Sequence, residues 1–187
     1  AAATIGHGLG VAPDIIFSKR TSSSADWVVG VSDWTKYLEL NGTPGFRTAS
    51  SVWNNTAPSS TVFSVAGSGG SNGSGETNIA YCWHSVAGYS KISSYTGTGS
   101  ALSITGLGFQ PSFILLKCVD STEQWYIFDS VRGADKYLHP NLANVEGTDA
   151  TTRLTSFDSD GFSLGTDGAV NASGDDYMYM AFKINVS

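Results

Sequence analysis

Gly8-Leu9-Gly10-Val11-Ala12-Pro13 returns later in the chain as Gly106-Leu107-Gly108-Phe109-Gln110-Pro111, an offset of 106 − 8 = 98. Each copy runs on into an apolar stretch that ends in lysine, Ile15-Ile16-Phe17-Ser18-Lys19 and Phe113-Ile114-Leu115-Leu116-Lys117. Working outward, Trp27-Val28-Val29 matches Trp125-Tyr126-Ile127 at the same offset. Lys36-Tyr37-Leu38 matches Lys136-Tyr137-Leu138 at 136 − 36 = 100, and Phe63-Ser64-Val65 matches Phe162-Ser163-Leu164 at 162 − 63 = 99. Asn72-Gly73-Ser74-Gly75 then matches Asn171-Ala172-Ser173-Gly174, and both lead into an aromatic stretch. The blocks keep their order while the offset drifts only in loops. The period is far too long for a solenoid repeat, so the pattern reads as a duplicated domain or half-domain. It predicts two repeats, 8–86 and 106–184, joined by a strand-forming connection over 87–105, with 1–187 forming a single compact unit.

The elements inside each repeat read as strands. Short runs rich in Val, Ile, Phe, Tyr and Trp are bounded by Gly, Pro, Asn, Asp and Ser, and no window of helical length keeps an apolar stripe. The expected fold is all-β, an antiparallel β-sandwich of the jelly-roll or concanavalin-like kind, with about ten to fourteen strands. Pro13 and Pro111 lack an N–H and belong at or just before a strand's first residue. The run after each shows no alternation, which predicts a strand covered on both faces. Ile79, Tyr81 and Trp83 alternate along a third strand against Met178, Met180 and Phe182. All six are large and apolar, so that face is expected to be core and the Asn78, Ala80, His84 side wetter. The recurring Trp27 and Trp125 are expected to be buried.

Composition narrows the function classes. Only 14% of the 187 residues are charged, against an ordinary quarter or so, and Gly, Ser, Thr and Asn fill the gap. Such a surface suits an exposed, durable, extracellular module, shell or fibre. The net charge of −6 offers no basic face for nucleic acid. No apolar run is long enough to insert in a membrane. Cys82 and Cys118 fall at non-equivalent places in the repeats and are expected as free, largely buried thiols. The chain begins Ala1-Ala2-Ala3 without Met, which suggests a processed product or a piece of something longer.

The duplication also serves as an internal control: a residue kept in both copies is scaffold, and a conspicuous one present in a single copy marks a candidate site. Trp34 aligns with Ala134, and Trp53 lies opposite Thr152-Arg153-Leu154. An exposed Trp53 beside Asn54 and Asn55 would form a sugar-stacking platform, its indole covering C–H groups while the amides bond hydroxyls. The alternative is that Trp53 packs a long loop onto the sheets. Trp34, Trp53, Asn54 and Asn55 are therefore the candidate contact residues, for a glycan or a partner subunit.

The remaining motifs offer little chemistry. His7, His84 and His139 lack the local setting of a base beside a nucleophile, and there is no nucleophile elbow, zincin motif or phosphate loop. Asp158-Ser159-Asp160-Gly161 has part of a calcium loop's pattern without its other ligands, and an Asp-Gly hairpin turn explains it better. The expectation is a chain with no catalytic residues, no metal and no cofactor.

His7-Gly8-Leu9-Gly10-Val11-Ala12-Pro13-Asp14, Lys36-Tyr37-Leu38-Glu39-Leu40-Asn41, Asn72-Gly73-Ser74-Gly75 running into Ile79-Ala80-Tyr81-Cys82-Trp83, and Gly88-Tyr89-Ser90-Lys91 before Tyr95-Thr96-Gly97-Thr98-Gly99 together resemble a domain family. It is carried by virion proteins of bacteriophages, marine and cyanobacterial ones above all. The resemblance covers nearly the whole chain and implies a concanavalin-like or laminin-G-like sandwich in a tail fibre, appendage or capsid-surface protein. It brings no catalytic residues. The expected role is a virion structural and adhesive module, with other virion subunits as partners in a homo-oligomer. The alternative is a glycan-binding, lectin-like module for host-surface recognition.

Overall fold

The computed structural model describes residues 1–183. The sequence suggests one compact unit, whereas the contacts within the chain form two, Ala1–His84 and Ser85–Ser187. Ile184, the expected end of the second repeat, lies outside the described residues. The connection 87–105 forms strands as expected, and it is built into the second unit.

In the first unit, β1 (Ala3–Gly6) pairs with β6 (Val62–Val65). A five-stranded sheet runs in the order β5 (Arg47–Thr48), β4 (Lys36–Glu39), β3 (Trp27–Val31), β2 (Ile15–Arg20), β7 (Asn78–Trp83), and a single-turn helix α1 (Ser50–Trp53) precedes β6. In the second unit, β11 (Trp125–Asp129), β10 (Phe113–Cys118), β16 (Asp176–Phe182) and β8 (Ser90–Thr96) form a four-stranded sheet in that order. β14 (Leu154–Asp158), β15 (Gly161–Leu164) and β9 (Leu102–Ile104) form a second sheet, and β12 (Lys136–Tyr137) pairs with β13 (Gly147–Thr148). A single turn, α2 (Gly168–Asn171), follows β15. The chain is all-β. Its sheets are antiparallel and none closes into a barrel.

Strand pairing recurs between the units residue for residue. Lys19 faces Trp27 as Lys117 faces Trp125, and Ile16 faces Cys82 as Ile114 faces Ala181. Ile5 faces Phe63 as Ile104 faces Phe162, and Lys36 faces Thr48 as Lys136 faces Thr148. The recurring polar residues serve the backbone. Lys19 Nζ donates to the carbonyls of Arg20 and Ala25, and Lys117 Nζ to that of Cys118. Asn41 Oδ1 accepts from the Trp27 N–H at 2.7 Å, as Asn141 Oδ1 does from Trp125 at 3.3 Å. Gly8, Gly10, Gly106 and Gly108 all take positive φ (72°, 75°, 82° and 77°), a region closed to most side chains, which fixes glycine at both places of the turn.

β2 and β10 are central strands, and they are buried on both faces as their unbroken apolar runs predict. Pro13 and Pro111 lie just outside them. The first unit's core gathers Ile16, Val28, Val52, Trp53, Phe63 and Val65. The second's is larger and includes Ile114, Leu116, Phe128, Phe162, Tyr177 and Tyr179.

The face assignment of the third strand is overturned. Ile79 and Tyr81 are 42% and 43% exposed, and Trp27 and Trp83 are only half-buried. In the second unit Met178 and Met180 are buried as expected, with Phe182 half-buried, but Tyr177 and Tyr179 on the supposedly wetter face belong to the core. The cause is position in the sheet. β16 lies between β10 and β8, whereas β7 ends its sheet with β2 as its one neighbour among the described residues. Equal sequence patterns therefore meet unequal cover.

Candidate functional site

Trp53 is fully buried, so it presents no stacking face to solvent. Its ring meets Trp34 edge-on at 5.7 Å and Phe63 at 6.4 Å between centroids. Gly30 makes room for it: a Cβ at Gly30 would come within 2.5 Å of the Trp34 ring and 2.7 Å of the Trp53 ring. At the equivalent places of the second unit stand Phe128 and Ala134, so a small residue and a large one have exchanged positions. The copy-specific tryptophans are core compensation, and the loop-packing reading of Trp53 is correct. Asn54 and Asn55 are exposed, with φ of 54° and 47°, and the Asn54 N–H closes α1 onto the Ser50 carbonyl. Asn is the common non-glycine choice for such a left-handed helix end.

A partly exposed aromatic row lies on the face of the five-stranded sheet turned away from Trp53, at the margin of the buried Ile15, Val29 and Val31. Alternation along β7 turns Ile79, Tyr81 and Trp83 away from the Trp53 core. Tyr81 is stacked between Trp27 and Trp83, with centroids 6.2 and 6.0 Å away and planes 27° and 22° from parallel. Phe17, buried in β2, meets Trp83 edge-on at 5.1 Å and braces the row. The Asn41 bond to the Trp27 backbone, and the bond from Asn41 Nδ2 to Asp26 at 2.7 Å, anchor its other end. The sequence pattern places these rings in the core because their counterparts are methionines. The missed signal is that, among the described residues, β7 has no flanking strand such as β8 supplies to β16.

Polar groups frame the row. Arg20 pairs with Glu76 at 3.4 Å, and Glu76 also accepts from the Ser22 and Ser23 hydroxyls. Ser22's hydrogen bond, helped by Ser23 and the Arg20 charge, holds the Glu76 carboxyl below its usual range. At the far end His84 Nδ1 lies 3.5 Å from Asp14. Burial pushes the Cys82 thiol up on the opposite face. The arrangement offers one exposed ring held between two half-buried ones, with a few hydrogen-bonding groups nearby. Exposed aromatics of this kind are chemically suited to contact sugar C–H groups or apolar side chains.

The other sequence candidates have structural partners. His7 Nδ1 accepts from the Leu9 N–H at 3.2 Å while Nε2 lies 3.0 Å from the Ser59 carbonyl, and His139 Nδ1 lies 2.8 Å from the Trp125 carbonyl with Tyr126 and Tyr137 against its ring. Asp158 and Gly161 face each other across the β14–β15 hairpin, and Asp160 accepts from the Gly106 and Gly108 N–H groups, which is the turn reading. Both cysteines are free, Cys118 fully buried and Cys82 half-buried. Among the described residues no three His, Cys, Asp or Glu side chains are grouped to hold a metal ion, and no helix is long and apolar enough to cross a membrane.

Residues 1–185 match a family model whose description is "Domain of unknown function (DUF7483)". No curated protein and no solved structure matches the chain.

Proposed function

Starting from a chain that belongs to the DUF7483 family, we propose a non-catalytic structural and adhesive module of a bacteriophage particle, in a tail fibre, appendage or capsid surface, working through self-association and attachment. Tyr81 carries this reading: a large aromatic 43% exposed, clamped between two tryptophans on the last strand of a sheet. Immobilised aromatics cost little further entropy on binding and are enriched where proteins meet. An uncovered edge strand is a liability that assembly removes. The sparse charge and the Ser, Thr, Gly and Asn content suit a virion surface, and the recurring glycine-turn and aromatic-strand motifs support the phage setting. We read the recurring registers as duplication of one concanavalin-like or jelly-roll sandwich plan.

A second reading, glycan binding, draws on the exposed Tyr81 held between two tryptophans, since an immobilised aromatic beside hydrogen-bonding groups suits the C–H and hydroxyl groups of a sugar. Sedimentation of the full chain and of Tyr81→Ala, together with a glycan array, separates the two. A concentration-dependent oligomer that Tyr81→Ala weakens supports the structural reading. A monomer whose glycan binding vanishes in the variant replaces it with the lectin reading, and polysaccharide hydrolysis by a monomer overturns both.

A further inference from the structure

The two units differ most in what covers one strand edge. In the second unit the edge of β16 turned away from β10 is paired along its whole length by β8, with Tyr95 opposite Tyr177, Ser93 opposite Tyr179, Ile92 opposite Met180 and Lys91 opposite Ala181. Tyr95 stacks on Tyr177 at 5.0 Å with planes 7° apart, and its hydroxyl donates to the Val170 carbonyl at 2.5 Å. The equivalent strand of the first unit, β7, matches β16 in its register with the central strand but has no strand on that edge among the described residues.

Three observations bear on this edge, which is unpaired among the described residues. Ile79, Ala80 and Tyr81 are exposed in succession, on both faces, as backbone awaiting a neighbour is. A cavity of about 240 Å³ opens beside Ala80 and Cys82, bounded by Ile5, Gly6, His7 and Phe63. A smaller one of about 80 Å³ reaches Asn78, whose Oδ1 is buried with no hydrogen-bond partner among the described residues. Asn78 holds the place of Tyr177, the residue that β8 stacks upon, and Ala80 holds the place of Tyr179. The first unit thus lacks two rings that fill the core of the second.

We propose that the β7 edge is a strand-addition site that takes an extended segment of a partner polypeptide, running antiparallel in the register β8 uses. Backbone hydrogen bonds give such a site its affinity and alternate side-chain pockets its specificity. Directly opposed side chains on one face lie about 5 Å apart. The residue facing Ala80 therefore points into the cavity. β8 can carry Ser93 there because Tyr179 fills the space, and over Ala80 the incoming strand must bring the bulk itself. The partner segment has a large apolar side chain opposite Ala80, an aromatic opposite Asn78, and no proline opposite Cys82, where, as at Lys91 of β8, the backbone N–H turns toward the edge. Strand addition at this edge does not require the aromatic row to mediate assembly.

The test uses the full chain and three synthetic peptides. The first copies residues 88–97, the second carries Leu in place of its Ser93, and the third adds Pro in place of Lys91, whose N–H faces the paired edge whereas that of Ile92 turns away to Ser85. Titration followed by Trp fluorescence, with amide hydrogen exchange over 78–83, reads binding. The Leu peptide should bind about tenfold or more tightly than the parent and slow exchange along β7, while the Pro peptide should do neither. In Ala80→Tyr, which restores the ring present in the second unit, the preference for Leu should disappear while the parent peptide still binds. Absence of β7 protection at millimolar Leu peptide would overturn the proposal. So would equal binding by the Pro peptide, or a dimer of the chain that itself protects β7 and resists the peptide.

Discussion

Trp53 lies edge-on to Trp34, ring centroids 5.7 Å apart and planes 83° from parallel, over a glycine that has no room for a methyl group. The pair substitutes for the Phe128 ring of the second unit, so its worth is packing. Trp53→Ala should cost about 3–5 kcal/mol in chemical denaturation. Gly30→Ala, which adds one carbon, should cost about 1–3 kcal/mol by overpacking. Loss of glycan or partner binding in Trp53→Ala at unchanged stability would restore the contact role that its burial removes.

Trp27 and Trp125 begin equivalent strands in equivalent registers, yet one is half-buried and the other fully buried. Trp125→Ala should therefore cost about 3–5 kcal/mol, and Trp27→Ala no more than about 1–2. Equal losses in urea titrations of the two variants would contradict this asymmetry.

That asymmetry marks where the sequence stops being legible. Strand positions, the two-sided burial of β2 and β10 and the turn glycines are readable, because each follows from local alternation, proline placement or a required φ. The fate of β7 is not readable, because burial depends on which strand lies alongside, and Ile79-Ala80-Tyr81 carries no mark of a missing neighbour. The Trp53 corner is readable in principle: Gly30 against Phe128 and Trp34 against Ala134 are opposite size changes at neighbouring places. Following single residues instead of volumes makes the tryptophans look like a site, and it hides Tyr81, whose counterpart is an ordinary buried methionine.

Lys117 has no exposed surface, and burial pushes its ammonium down to about 8, against raising contributions from Cys118 and Glu123. The unfolded chain then holds more protons than the folded one between about pH 8 and the unfolded lysine value of 10.5. The penalty for burying charge is in full force below about pH 8 and is relieved as pH rises through that window. Stability should rise from about pH 8 to about pH 9, where the raised Cys82 thiol begins to oppose it. Above about pH 10 it should fall, because burial raises Tyr95, Tyr177 and Tyr179, which keep protons in the folded state that the unfolded chain releases. Lys117→Met should flatten the rise while leaving the alkaline fall, as measured by denaturation midpoints at half-unit pH steps.

Asp160 fixes a difference between the two glycine turns. Its carboxylate accepts from Gly108 N–H at 2.6 Å and Gly106 N–H at 3.0 Å, and its carbonyl accepts from Leu107 N–H at 3.1 Å. Leu107 and Phe109 are buried in that turn, whereas Leu9 and Val11, their equivalents in the first unit, are 40% and 41% exposed. Position 61, where the first unit would need the aspartate, is threonine. The carboxylate thus draws the turn down onto the second core. Asp160→Ala leaves two N–H groups without their charged acceptor and should cost about 1–2 kcal/mol, discounted for their exposure. Hydrogen exchange at Gly106 and Gly108 should quicken by about tenfold, with no change at Gly8 and Gly10. Asp160→Asn, which keeps an acceptor oxygen but not the charge, should fall between. If calcium addition slowed exchange in the parent chain and not in Asp160→Ala, the carboxylate would be a metal ligand rather than a clasp for the turn.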